Sequence, residues 1–151
     1  VGGKIWQKIR CVCRPALIVT KHLKYQEDIM PKKILAVDDD IAIVRMIEFK
    51  LKAAGLEVVC AFNGQDALSK ILEDKPDLII TDINMPIMTG IELIRQLKGL
   101  SGYKDIPTII LTARGEDEQK EEAKQIGADV FVNKPFAPSR LLEIVQQMAG
   151  E

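Results

Sequence analysis

The chain has few aromatic residues: one Trp, two Tyr and four Phe account for 5% of its 151 residues. Cysteine is scarcer still. Cys11, Cys13 and Cys60 cannot build a disulfide framework, which points to a reducing cytoplasm. No stretch approaches the roughly 18 uninterrupted apolar residues of a membrane span. A net charge of −1 argues against a general nucleic-acid binder. Internal repeats and low-complexity tracts are absent, which excludes solenoids and compositionally disordered chains. What is present is an ordinary soluble composition, 47% hydrophobic and 28% charged, long enough for one domain with a real core.

Charge divides the chain in two. Residues 1–29 carry six Lys/Arg (Lys4, Lys8, Arg10, Arg14, Lys21, Lys24) against Glu27 and Asp28, a formal +4. The remaining 15 basic and 20 acidic side chains leave residues 30–151 at −5. The first part shows no helical or strand period, and Ala16-Leu-Ile-Val-Thr20 is too short for a signal-peptide core with a cleavage site. Cys11-Val-Cys13 with His22 lacks a fourth ligand and the usual cysteine spacing of zinc sites. Ile5, Trp6 and Ile9 among cations are only a weak match to a basic amphipathic membrane anchor. Residues 1–29 are therefore read as a non-native or disordered basic extension, and 30–151 as the domain, starting at Met30.

From there the pattern alternates. Lys33–Val37 reads as a strand ending in Asp38-Asp39-Asp40. Ile43, Val44, Ile47, Leu51 and Ala54 follow helical spacing, with Asp40 as N-cap and Gly55 at the C-terminal stop. Glu57–Ala61 is a second strand. Gln65–Asp74 is a helix with Ala67, Leu68, Ile71 and Leu72 on one side. Leu78–Thr81 is a short apolar, β-favouring run that stops on Asp82. Pro86 and Gly90 mark a loop before the helix Ile91–Lys98. Pro107–Leu111 makes a fourth strand, Glu116–Ile126 an acid-rich helix, Asp129–Val132 a fifth strand and Pro138–Met148 a last helix. Five strands alternating with five helices imply an α/β fold: a parallel sheet, doubly wound, covered on both faces.

Such a sheet gathers its strand ends along one edge: Asp38 and Asp39, Asp82, Thr112 and Lys134. Two carboxylates about 4 Å apart repel by ~4 kcal/mol at an effective dielectric of 20. Three are tolerable together only with protons or cations. One lysine is not enough, and oxygen donors favour a hard cation such as Mg²⁺. Asp40 is better explained as a helix cap.

Val37-Asp38-Asp39, Thr81-Asp82-Ile-Asn84-Met-Pro86-Ile-Met-Thr-Gly90, Leu-Thr112-Ala113 and Asn-Lys134-Pro135-Phe136 resemble the four signatures of response-regulator receiver domains, in order and each at a strand end. The likeness is to CheY-like single-domain members and covers about residues 32–149. It implies the flavodoxin-like (βα)5 sheet order 2-1-3-4-5. It further implies that Asp82 accepts a phosphoryl group from a sensor histidine kinase or phosphotransfer protein. Asp38, Asp39, Asp82 and the backbone carbonyl of Asn84 would hold Mg²⁺, with Asp38 acting through a coordinated water. Lys134 and Thr112 would meet phosphoryl oxygens, and the small Ala113 would leave room for the group. Thr112 and Phe131 would form the switch that alters the surface of the fourth helix, fifth strand and fifth helix. The Lys134–Pro135 bond would be cis. Such a protein is not an enzyme beyond its own phosphorylation and dephosphorylation. It is expected to be cytoplasmic, a monomer or phosphorylation-dependent dimer, and to act on a downstream protein rather than on nucleic acid or membrane. Thr89 departs from the family's usual Asp, and Arg114 stands where side chains modulate attacking water.

Two other readings compete. A receiver cut from a longer transcriptional regulator would share every signature. A haloacid-dehalogenase-type phosphohydrolase would use Asp38-x-Asp40, but this chain lacks room for its cap and Asp82 would be unexplained.

Overall fold

The computed structural model describes residues 32–149; the expectations for residues 1–29 and for a boundary at Met30 lie outside them. Five strands and five helices alternate: β1 (Lys33–Val37), α1 (Ile41–Ala53), β2 (Glu57–Ala61), α2 (Gly64–Glu73), β3 (Leu78–Asp82), α3 (Gly90–Lys98), β4 (Thr108–Thr112), α4 (Asp117–Gln125), β5 (Val130–Asn133) and α5 (Pro138–Ala149). The strands form one parallel sheet in the order β2-β1-β3-β4-β5, as expected. β3 and β4 are buried along their whole length, which is why their sequences are almost continuously apolar.

Alternate strand residues feed opposite faces. On one face, Ile34, Ala36, Leu78, Ile80, Ile109 and Leu111 pack with Ile47 and Leu51 of α1 and Leu141 and Val145 of α5. On the other, Leu35, Val37 and Ile79 meet Ala67 and Ile71 of α2 and Leu93 and Leu97 of α3. A third, smaller group joins Ile83, Ile91, Ile94, Ile110 and Ala123, with Phe131 against it. Ala123 is the only residue of α4 that is buried. Leu72, expected on the inner side of α2, is instead 50% exposed, because α2 turns Ala67, Leu68 and Ile71 to the sheet and leaves the next position outside.

Helix ends follow local chemistry. Asp40 caps α1 by accepting the Ala42 N–H, and Gly55 takes the left-handed φ of +91° just past its end. Asn63 caps α2 through the Asp66 N–H. At α3, Thr89 accepts the Glu92 N–H and the Glu92 carboxylate reaches back to the Thr89 N–H.

Candidate functional site

Register brings the acids together. Val37 of β1 pairs with Thr81 of β3, so the next residues, Asp38 just past β1 and Asp82 at the last position of β3, stand side by side. One carboxylate oxygen from each of Asp38, Asp39 and Asp82 lies within 4.8 Å of the others. Asp38 and Asp82 are buried, while Asp39 is exposed. The Lys134 ammonium stands 3.0 Å from Asp38 Oδ2 and 3.3 Å from Asp82 Oδ1. Lys134 follows β5 and its backbone N–H donates to the Thr112 carbonyl at 2.7 Å, which ties the lysine to the end of β4. The Lys134–Pro135 bond is cis, as the resemblance implied.

The two carboxyl groups of Asp82 and Asp38 are hard to ionise. Burial, followed by the charge of Asp38, pushes Asp82 up to about 6 against the pull of Lys134. Burial also raises Asp38, although the Asp40 N–H and Lys134 work the other way. For Lys134, burial disfavours the charge, but the hydrogen bond to Asp38 and the charges of Asp82 and Asp38 outweigh it and raise the ammonium's pKa. The Asp38 Oδ1 atom accepts the Asp40 N–H at 3.0 Å. Its Oδ2 is buried and has no partner among the described residues beyond the Lys134 ammonium 3.0 Å away. A buried carboxylate oxygen in that condition, facing two further acids, is a donor set that fits a hard divalent cation.

Asp82 itself is held on one side. Its Oδ1 accepts the Ile83 N–H at 2.8 Å and faces Lys134, while Oδ2 has no protein partner among the described residues. The loop that follows is fixed by Gly90, whose N–H donates to the Ile83 carbonyl at 2.8 Å. A Cβ at Gly90 would run into the Asp82 carbonyl oxygen, so this approach requires glycine. Ile87 in the same loop takes φ +73° and is 77% exposed.

Thr112 ends β4 in register with Asn133, and its hydroxyl donates to Asn133 Oδ1 at 2.8 Å. Ala113 is exposed beside it. Phe131 is half-buried, with the ammonium groups of Lys120 and Lys124 at 5.6 and 5.9 Å from its ring centre. Asn84 is exposed, and its side-chain amide donates to Glu116 Oε2. Glu116 Oε1 in turn accepts the Ala113 N–H at 2.6 Å. Sequence reading took Glu116 only as the start of an acid-rich helix, and Asn133 only as part of a signature. One hint existed: glutamate is not among the favoured N-caps, so a Glu at that position is free to bond elsewhere.

Among the described residues no helix is long and apolar enough to cross a membrane. The pattern that defines the response regulator receiver domain matches residues 34–146. The chain is 45% identical over 111 residues to the phosphate regulon transcriptional regulatory protein PhoB of Pseudomonas aeruginosa, covering 74% of this chain and 48% of that protein. It is 39% identical over 109 residues to the alkaline phosphatase synthesis transcriptional regulatory protein PhoP of Bacillus subtilis, covering 72% and 45%. It thus spans about half the length of these curated relatives. Among solved structures, the chemotaxis response regulator CheY4 of Vibrio cholerae superposes with a TM-score of 0.74 at 41% identity, over 79% of this chain and 99% of that one. The receiver domain of the Francisella response regulator 1452 does so at 0.71 and 33% identity, over 78% and 96%. With its acid cluster, its lysine and its sheet order all in place, the chain belongs to the response regulator receiver domain family.

Proposed function

We propose that Asp82 is the phosphoacceptor. Its Oδ2 attacks the phosphorus of a phosphohistidine on a sensor histidine kinase or phosphotransfer protein. The P–N bond breaks, its electron pair stays on the imidazole nitrogen, and Asp82 becomes an acyl phosphate. The observation that carries this reading is the asymmetry of the carboxylate: Oδ1 is engaged by the Ile83 N–H and Lys134, and Oδ2 is left for the incoming phosphorus.

Asp38, Asp39, Asp82 and the backbone carbonyl of Asn84 would hold Mg²⁺, which supplies positive charge to the phosphoryl oxygens when bound. Lys134 keeps Asp82 and Asp38 from repelling each other and offers its ammonium to the transferred group. Thr112 would exchange its bond to Asn133 for one to a phosphoryl oxygen, and Ala113 has too small a side chain to obstruct it. Movement of Thr112 would draw Phe131 inward and reshape the surface of α4, β5 and α5, changing affinity for a downstream protein. The protein then catalyses only its own phosphorylation and dephosphorylation. It works in the cytoplasm, as a monomer or a phosphorylation-dependent dimer.

A small phosphodonor with Mg²⁺ tests this directly. Label should appear on Asp82 and vanish in Asp82→Ala; stoichiometric label at another residue of that variant would overturn the assignment. A second reading, a receiver belonging to a longer transcriptional regulator, is favoured by the half-length match to two transcriptional regulatory proteins. The reading frame beyond codon 151 of the gene distinguishes the two.

A further inference from the structure

Glu116 is the N-terminal flanking residue of α4, yet its side chain makes no cap bond to its own helix. It turns the other way. One oxygen accepts the Ala113 N–H at 2.6 Å and the other accepts the Asn84 amide, so a single carboxylate joins the loop after β4 to the loop after β3. Both loops border the acid cluster, because Asp82 is in register with Leu111, two residues before Ala113. A backbone N–H that already holds a carboxylate oxygen is a competent anion donor. It lies next to the Thr112 hydroxyl and Lys134, the groups that would meet a phosphoryl group.

We propose that Glu116 is a positioning residue that guards the phosphoryl site. In the resting protein its carboxylate occupies the Ala113 N–H and the Asn84 amide, and it leaves both when phosphate joins Asp82. This rests on Asp82 being the acceptor. A phosphoryl group brings close to two negative charges into the space this carboxylate borders. The two anions compete for the same donor and repel each other. The shared space is a cavity of about 300 Å³ that Glu116 lines together with Thr112, Ala113 and Lys134, and with Arg114 and Lys120. Arg114 and Lys120 give the carboxylate cations to move towards.

The test compares wild type, Glu116→Gln and Glu116→Ala for the rate of Asp82 labelling by acetyl phosphate with Mg²⁺, and for the amide NMR resonance of Ala113. Gln keeps the length and removes the charge, whereas Ala removes both. Labelling should be roughly fivefold faster in both variants, the size expected from deleting one partly exposed charge interaction. The Ala113 resonance should shift on phosphorylation of wild type, and should already be displaced in resting Glu116→Ala. Wild-type or slower labelling in both variants, or an Ala113 resonance that Glu116→Ala leaves in place, would overturn the guard. Absence of label on Asp82 in the wild type would instead overturn the phosphoacceptor reading.

Discussion

A carboxyl group that resists ionisation ties stability to pH in a definite direction. Asp82 is raised to about 6 in the folded protein, first by burial and then by Asp38. Its contribution to stability is therefore complete below the ordinary carboxylate range and is lost as pH rises through about 6. Without divalent metal, the melting temperature should fall between about pH 4 and 6.5 and level off above that. Asp82→Asn should flatten that slope and melt higher than wild type at the upper end; an unchanged slope in calorimetry would refute the assignment. Glu48 behaves oppositely, since hydrogen bonds from Lys52 and Arg45 lower it to about 2, so its effect is confined to more acid solution. Lys134→Ala should still accept phosphate on Asp82 but lose the conformational response, seen as the absence of phosphorylation-dependent NMR shifts in α4 and β5. At this scale the sequence was informative wherever a residue type is costly unless paired: Asp38, Asp82 and Lys134 could be picked out as partners. Glu116 could not, because a glutamate at the start of an acidic helix is inexpensive in solvent and nothing in its spacing reveals which way it turns.

Element boundaries were legible to within a residue or two, and the small differences have physical causes. Strand ends coincide with the change from apolar to polar residues. α2 and α3 each begin one residue earlier than the apolar period suggests, because Asn63 and Thr89 cap them and Gly64 and Gly90 enter the first turn. Thr89→Ala removes half of a reciprocal cap and should cost ~1 kcal/mol in denaturant unfolding. Gly90→Ala is a different matter. Its Cβ collides with backbone that supports Asp82, and overpacking of this kind should cost ~3 kcal/mol. It should also slow Asp82 labelling, while Thr89→Ala should leave the labelling rate unchanged. Period alone could not see Leu72 on the outer side of α2, since one helical position separates a half-exposed residue from fully buried Ile71.

Strand order was not readable from hydrophobic period and came from the resemblance to a family; parallel pairing was readable, because β3 and β4 lack polar alternation. Divalent metal held at the acid cluster would act on the molecule as a whole. Mg²⁺ should raise the melting temperature at about pH 7.5 and do so much less at about pH 5, where protons compete for the same oxygens. Among the described residues the interior is divided into three groups of apolar side chains, and α4 contributes a single buried residue to the smallest. Hydrogen exchange should find α4 amides opening far more readily than those of β1 and β3, which exchange only through global unfolding. The two large groups carry the free energy that keeps the chain folded, and the third is small enough to come apart and re-form at modest cost. Under the proposed function, a chemical event at Asp82 would be broadcast through one loosely moored helix while the load-carrying interior stays shut.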